Sequence, residues 1–260
     1  MRQLFTVRDD NGKIPFAKRS FNVLLVGLFI LGIALFAILR LNYVFDFSVI
    51  FTYRAKFLRG FLMTLEISVI SLFIALAIGS VNALALKGRI LFFRFLARFY
   101  VELIRGTPFL VQILFFYFII ADAVGLANKF LVGVVILSLF TGAYVTEIIR
   151  GGIESIPQSQ LITASSLGFT KWQVYRYIIF PQVFRRILPS LAGQLSSLVK
   201  DSSLLSVIAV SEFTMNTLEV NSLTFRAFEN FTILALGYLL ITIPVSLLSK
   251  WLERKYFYES

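Results

Sequence analysis

Residues 60–86 read GFLMTLEISVISLFIALAIGSVNALAL, an apolar run with one charged residue, Glu66. An α-helix needs about 20 apolar residues to cross the roughly 30 Å hydrocarbon layer of a membrane. This run therefore predicts a transmembrane helix. Five further runs qualify or nearly qualify, and they cover residues 21–39, 101–121, 130–146, 188–211 and 230–249. The sequence predicts an all-α, polytopic membrane protein with six transmembrane helices.

The composition excludes several classes of function. Of the 260 residues, 58% are hydrophobic, whereas soluble domains average about 45–50%. The chain has no Cys and no His, so disulfides, thiolate metal sites and the commonest general base are missing. It contains no G-x-x-x-x-G-K-S/T phosphate loop, so any use of ATP must reside in another chain. We therefore predict no catalytic site, no metal site and no cofactor in this chain.

The net charge of +11 would suggest nucleic acid in a soluble protein, but here we interpret it through membrane orientation and predict no nucleic-acid partner. With the N-terminus inside, most Lys and Arg residues fall in the two tails, between the second and third spans, and in the central loop. The positive-inside rule then predicts cytoplasmic termini and a cytoplasmic central loop. Three basic residues fall outside and argue mildly against this orientation: Arg54, Lys56 and Arg59.

The domain organisation follows from these spans. Residues 1–56 are predicted to hold a cytoplasmic tail, the first transmembrane helix and an external aromatic segment. The Phe- and Tyr-rich residues 42–57 of that segment are expected at the lipid headgroups. Residues 57–255 form a single membrane domain, and residues 256–260 a cytoplasmic tail.

The central loop, residues 150–189, carries its own helix punctuation. Pro157 suits the first turn of a helix, and Gly168 supplies a left-handed stop. Thr170 and Gln173 fit a capping box that begins a second helix, which is expected to run to Phe180 and to be interrupted by Pro181.

Two narrow apolar stripes follow from these helices. One holds Leu161, Ala164 and Leu167, and the other holds Trp172, Tyr175 and Ile179. The helices either lie on the membrane with the stripes facing lipid or dock into a groove on another protein. The residues alone leave both interpretations open.

Four motifs in order resemble a known family. The sequence QLITASSLG at residues 160–168, followed by IIFP at 178–181, resembles the so-called EAA loop of ABC importer permeases. ELIRGTPFLVQ at residues 102–112 looks like the RGTP signature of the polar amino-acid type, which serves histidine, glutamine and arginine. AYVTEIIRGG at 143–152 and KDSSL at 200–204 match the same group. The resemblance covers roughly residues 57–255, a five-helix permease core preceded by one extra N-terminal helix.

Two positions depart from the family. Ile162, Thr163 and Ala164 stand where it usually has Glu-Ala-Ala, and Gly193 stands where it often has Asn.

The resemblance implies the membrane subunit of an ATP-driven importer of polar amino acids in the bacterial plasma (inner) membrane. Two permease subunits, identical or paralogous, would form the pathway and alternate its access. Two cytoplasmic ATPases would bind ATP and Mg, and an external solute-binding protein would deliver the substrate. The coupling residues it implies are Gln160, Leu161, Ala164, Leu167, Gly168 and Phe169.

Charged residues at bilayer depth mark a pathway or a buried pair. Lys200 is expected near the midplane, about 18 Å into the fifth span, with Glu66 as its candidate partner. Our first interpretation is that Glu66 and Lys200 form a structural ion pair. The alternative is a zwitterion site, in which Asp201 also faces the substrate. Pro189, Gly193 and the neighbouring serines make the fifth span breakable.

Thr107 and Gln112 are further candidates. Their side chains either satisfy a carbonyl freed by Pro108 or line the cavity. The predicted pathway residues are thus Glu66, Thr107, Gln112, Lys200, Asp201 and Ser203.

Glu102–Arg105 and Glu147–Arg150 are expected to form local i,i+3 ion pairs that brace an inner gate.

Competing functions are a secondary transporter or channel that uses the intramembrane charges without an ATPase, an assembly protein, and an ABC importer of another specificity. Against a secondary transporter stand the ordered loop motifs and the missing inverted repeat.

Overall fold

The computed structural model describes residues 16–40 and 43–257, and every regular element in these ranges is helical. The all-α prediction is confirmed. The predicted tails at residues 1–15 and 258–260 lie outside the described residues. The chain divides into two compact units, the first ending at Asp46 and the second beginning at Phe47. The first unit holds helix α1 (Phe16–Arg40), which contains the predicted first span at residues 21–39.

The second unit holds the remaining helices. They are α2 (Ser48–Thr52), α3 (Arg54–Lys87), α4 (Leu91–Gly106), α5 (Phe109–Phe115), α6 (Lys129–Glu154), α7 (Gln158–Ser166), α8 (Lys171–Gln173), α9 (Phe180–Asp201), α10 (Phe213–Thr224) and α11 (Ala227–Phe257). Wide π-helical turns extend α5 over Phe116–Ala121 and join α8 to α9 over Val174–Ile179. A 3-10 helix, Ser202–Ile208, follows α9.

Three of the described helices, α3, α6 and α11, are long and apolar enough to cross a membrane. Helices α4 and α5 form a fourth candidate as a pair bent by 110°. The predicted third span at residues 101–121 is therefore divided at Pro108 between these two helices. Pro108 has no N–H and forces the preceding Thr107 into an extended conformation, with φ −121° and ψ 148°, so the helix stops and restarts in a new direction.

The fifth predicted span, residues 188–211, also differs. Helix α9 begins earlier, at Phe180, and ends at Asp201, while Pro189 and Gly193 lie inside it without breaking it. The chain leaves the following 3-10 helix through a left-handed residue, Ala209, with φ 53°. Helix α10 at residues 213–224 has no counterpart among the predicted spans.

Small residues bring α3 and α6 together. The buried face of α3 includes Gly60, Thr64, Ser68, Ser71, Ala75, Gly79 and Ala83, and such residues allow membrane helices to approach closely. A Cβ on Gly79 would collide with the side chain of Val145, and one on Gly142 would lie 2.8 Å from Ile78 Cγ2. These two contacts run in opposite directions, so each helix places a glycine against a side chain of the other.

The aromatic segment lies partly inside the protein. Val49 and Phe57 are buried in a cluster with Phe213 and Val220 of α10, while Phe51 is exposed. Val49 and Phe57 thus pack on α10, while the expectation that residues 42–57 lie at the lipid headgroups stays a prediction. Residue 42 lies outside the described residues.

Candidate functional site

The central loop begins as the sequence predicts. Helix α7 starts directly after Pro157 and ends before Gly168, which has a left-handed φ of 77°. In the capping box, the Gln173 amide N–H donates to Thr170 Oγ1 (3.3 Å) and the Thr170 N–H donates to Gln173 Oε1 (2.8 Å). Both helix starts and the glycine stop are confirmed.

The end of the second loop helix is predicted wrongly. Pro181 does not interrupt it, because the wide turns at Val174–Ile179 lead without a gap into α9. Pro181 occupies the first turn of α9, where a missing N–H costs little. The second loop helix is therefore continuous with the long helix that follows, and α8 and α9 form one connected arm.

The predicted apolar stripe of α7 does not lie on one exposed face. Ala164 is buried, with 2% of its surface exposed, and Leu161 packs on a core cluster formed by Ile156, Ile179, Val183 and Ile187. Leu167 is 73% exposed. Leu161 and Ala164 therefore fix α7 to its own chain.

The free surface of α7 is made of other residues. Gln158, Gln160, Ile162 and Ser165 are exposed, and Phe169 is exposed just beyond the glycine. Ile162 stands at the position where a glutamate was expected from the family resemblance, and it is 62% exposed. The second predicted stripe is divided in the same way, because Ile179 is buried while Trp172 and Tyr175 are exposed.

Two polar contacts and one close approach hold the loop to α9. Gln182 Nε2 donates to Gln160 Oε1 at 2.8 Å. Arg186 Nη1 donates to Ser155 O at 2.5 Å and to Ser155 Oγ at 2.7 Å, at the carboxyl end of α6. A Cβ on Gly152 would collide with the side chain of Ile187. A displacement of α7 must therefore be carried into α9.

An ion-pair network joins the ends of three helices. Arg105 of α4 pairs with Glu147 of α6 at 3.1 Å. Arg150 pairs with Glu147 at 2.8 Å and with Glu154 at 2.5 Å. Lys87, the last residue of α3, pairs with Glu154 at 2.9 Å. The predicted Glu147–Arg150 pair is thus confirmed, and it is the centre of a chain of contacts that links α3, α4 and α6.

The predicted Glu102–Arg105 pair does not form. Glu102 pairs instead with Arg98, four residues earlier, at 2.8 Å. Arg105 reaches across to α6, where its guanidinium also lies 5.6 Å from the centre of the Tyr144 ring. A contact between helices therefore replaces the local pair that spacing alone suggested.

The break between α4 and α5 is closed by the predicted pair Thr107 and Gln112. Gln112 Nε2 donates to the carbonyls of Ile104 (2.7 Å) and Thr107 (3.0 Å) and to Thr107 Oγ1 (2.8 Å). Thr107 Oγ1 donates to Leu103 O at 2.9 Å. These bonds satisfy carbonyls that the last turn of a helix leaves without a partner. Of the two alternatives, the geometry favours carbonyl satisfaction.

The predicted Glu66–Lys200 ion pair is absent from the part of the chain that the structure describes. Glu66 on α3 and Lys200 on α9 are both exposed, so neither side chain is enclosed within the packing of these helices. Asp201 is half-buried, and Ser203 Oγ donates to the Lys200 carbonyl at 2.6 Å. Of the predicted pathway residues, Lys200, Asp201 and Ser203 lie where α9 passes into the 3-10 helix, Thr107 and Gln112 lie at the break between α4 and α5, and Glu66 lies apart on α3.

Glu212, which is not among the predicted site residues, is fully buried at the start of α10. Its carboxylate accepts the N–H groups of Met215 (2.7 Å) and Thr214 (2.8 Å) and the hydroxyl of Tyr238 on α11 (3.0 Å). Thr64 Oγ1 of α3 accepts the N–H of the next residue, Phe213, at 3.0 Å. Glutamate is not a preferred N-cap residue, so the sequence offers only a weak signal for this junction of three helices.

Comparisons with known proteins agree over most of the chain. A family model described as "Binding-protein-dependent transport system inner membrane component" matches residues 75–258. The glutamine transport system permease protein GlnP of Escherichia coli (strain K12) is 36% identical over 213 residues, covering 81% of this chain and 97% of GlnP. The probable glutamine ABC transporter permease protein GlnM of Bacillus subtilis (strain 168) is 36% identical over 211 residues, covering 80% of this chain and 96% of GlnM.

Solved structures share the fold. A chain from the crystal structure of an amino acid ABC transporter with histidines aligns with a TM-score of 0.76 at 34% identity, covering 82% of this chain and 100% of that chain. A chain of the inward-facing MetNI methionine ABC transporter aligns with a TM-score of 0.66 at 16% identity, covering 79% of this chain and 98% of that chain. The second likeness concerns the fold alone.

Proposed function

Because the chain belongs to the family of binding-protein-dependent transport system inner membrane components, we propose that it forms one half of the solute pathway of an importer for polar amino acids, with glutamine as the substrate. The resemblance to ABC importer permeases is confirmed. The chain is a permease subunit and not an enzyme, and ATP hydrolysis belongs to a partner. Glutamine is the solute named for GlnP and GlnM.

The observation that carries the proposal is the anchored helix α7. It presents an exposed surface next to a left-handed glycine while its inner face is fixed to α6 and α9. An ATPase groove would receive this surface in helix-in-groove fashion. The docking residues are Gln160, Leu167 and Phe169 of the predicted set, together with Ile162, and Gly168 sets the turn. Leu161 transmits force through the core cluster, and the buried Ala164 lies on the inner side of α7, away from the partner.

The assembly follows the family pattern. We place two permease subunits, two ATPases that bind ATP and Mg, and one external solute-binding protein around the pathway in the bacterial inner membrane. The proposed topology has six transmembrane helices, with α1 as the addition to a five-helix core and both termini and the loop at 150–189 in the cytoplasm. The distribution of Lys and Arg supports this orientation.

The exposed charges of α3 and α9 support a pathway surface. A charged side chain facing lipid at the bilayer centre costs at least about 2.5 kcal/mol. The side chains of Glu66 and Lys200 are exposed on the surface of this chain. Each must therefore face water, substrate or the second permease subunit. In the proposed importer they line the pathway with Asp201 and Ser203, while Thr107 and Gln112 shape its wall at the helix break.

The ion-pair network acts as the brace of the inner gate. It joins the last residue of α3 to the ends of α4 and α6. The proposed alternating-access motion changes the distance of the α4 end from the ends of α3 and α6 when the ATPases close, and α7 and α9 bring that motion to them. Glu102 stands beside this chain of contacts, paired with Arg98.

Reconstitution tests the proposal. The permease is placed in liposomes with its ATPase and solute-binding protein, and uptake of labelled glutamine is measured with other polar amino acids as competitors. We expect uptake that requires ATP inside and the binding protein outside. Uptake that runs on a proton gradient without the ATPase would establish a secondary transporter and refute the proposal.

A further inference from the structure

Helix α4 has an apolar stripe and a basic stripe side by side. Phe92, Phe99 and Leu103 are more than half exposed on the apolar stripe. Arg94, Arg98, Glu102 and Arg105 recur at spacings of four, four and three along the basic stripe. Leu91 and Phe95, which are also more than half exposed, lie on the side of the basic stripe. A helix with Phe and Leu on one side and Arg on the other lies in the membrane interface plane. The 110° bend to α5 gives α4 the freedom to lie this way while α5 enters the bilayer.

The basic face of α4 borders a cavity of about 980 Å³ between α4 and the ends of α3 and α6. Five cationic side chains line it: Lys87, Arg94, Arg98, Arg105 and Arg150. Three carboxylates line it as well, and all three are already engaged in the ion pairs of the brace and of Arg98. The lining therefore holds more positive than negative charge.

Arg94 is the cation of this lining whose terminal guanidinium nitrogen atoms are not used by the contacts described above. Within the described ranges it donates one hydrogen bond, from Nε to the Leu86 carbonyl at 3.0 Å, and forms no ion pair. Its terminal nitrogen atoms remain available for an anion. Leu86, Leu91 and Phe95 line the same cavity, so the wall beside the Arg94 guanidinium is apolar.

We propose that this cavity binds an anionic phospholipid of the inner leaflet, whose phosphate contacts Arg94 and whose acyl chains lie along Leu91 and Phe95. Basic pockets between transmembrane helices on the cytoplasmic side bind anionic lipid headgroups in this way. The combination of an apolar wall and a cation favours an amphiphile over a free phosphate. The lipid would also touch the brace, because Arg105 and Arg150 line the same cavity.

Native mass spectrometry of the full chain in complex with its ATPase tests the assignment. The complex is titrated with phosphatidylglycerol and, separately, with phosphatidylcholine. We expect selective retention of phosphatidylglycerol, and Arg94→Gln should weaken it about fivefold, the effect of about 1 kcal/mol per cation near the surface. Arg89→Gln is the matched control, since Arg89 is an exposed cation of the same segment outside the cavity lining, and it should change retention by less than twofold.

Several outcomes would overturn the proposal. Equal retention of the two lipids, or equal effects of the two Arg variants, would show that the cavity does not select an anionic headgroup. Competition by millimolar inorganic phosphate would assign the site to a free anion. The native chain has no Cys, so Phe95→Cys can report a second copy: a disulfide-linked permease dimer formed under oxidation would mean that another permease covers the cavity.

Discussion

Glu212→Ala should destabilise the protein more than any single surface change, because the carboxylate sits at the junction of three helices. The substitution leaves the N–H groups of Thr214 and Met215, the two donors that Glu212 caps, without an acceptor. Each buried donor left unpaired costs about 1–3 kcal/mol, so we expect a total loss of about 2–6 kcal/mol. The hydroxyl of Tyr238 loses its bond to Glu212 but can still bond to Thr214 Oγ1 at 2.8 Å, so it adds little to this loss.

Glu219→Gln is the matched control on the same helix. It removes the Lys56–Glu219 ion pair at 2.5 Å, whose side chains are 34% and 39% exposed, and an exposed pair contributes only about 0–1 kcal/mol. Purified variants are heated in detergent, and the fraction that survives as a monodisperse peak in size-exclusion chromatography is measured. The midpoint should fall by roughly 5–15 °C for Glu212→Ala and by about 2 °C or less for the control. Equal shifts would refute the idea that Glu212 holds α3, α10 and α11 together.

Three further predictions concern the loop, the helix break and the brace. Gly168→Val should keep ATP hydrolysis but reduce uptake at least fivefold, because a left-handed conformation costs an L-residue about 1–2 kcal/mol; Gly151→Ala, with open space around its Cβ, should transport normally. Gln112→Leu should lower thermal stability by about 1 kcal/mol, since two carbonyls at the end of α4 lose their donor, and an unchanged melting midpoint would contradict this role. Arg150→Gln should alter stability by less than about 1 kcal/mol yet raise ATPase activity without substrate, whereas Arg98→Gln, which removes a local ion pair with Glu102 on the same helix, should not.

Local signals in the sequence predict much of the coupling loop. Pro157, Gly168 and the Thr170–Gln173 box each act within a few residues of themselves, so no tertiary contact is needed to interpret them. Long apolar runs likewise predict α3, α6 and α11 because length and hydropathy are properties of one segment. For the same reason the family motifs identify the permease core without any knowledge of packing.

The errors arise where a distant contact decides the outcome. Arg105 has a suitable partner three residues away, but the approach of α4 to α6 offers it Glu147 instead. Pro108 predicts a disturbance, and only the fold determines that the result is a 110° break. The inward face of Leu161 depends on the cluster that α9 completes with Val183 and Ile187. The junction at Glu212 requires three helices that are far apart in sequence, so no local pattern announces it.

The interlocked glycines of α3 and α6 have a mechanical consequence. Gly79 is covered by Val145, and Gly142 by Ile78, so each helix has a glycine that receives a side chain of the other helix. A slide of one turn, about 5.4 Å, would move Val145 and Ile78 away from these glycines and against residues that have a side chain. The two helices must therefore move as one rigid body. We expect the molecule to flex instead where α-helical bonding stops or changes, at Thr107–Pro108 and at the 3-10 helix Ser202–Ile208.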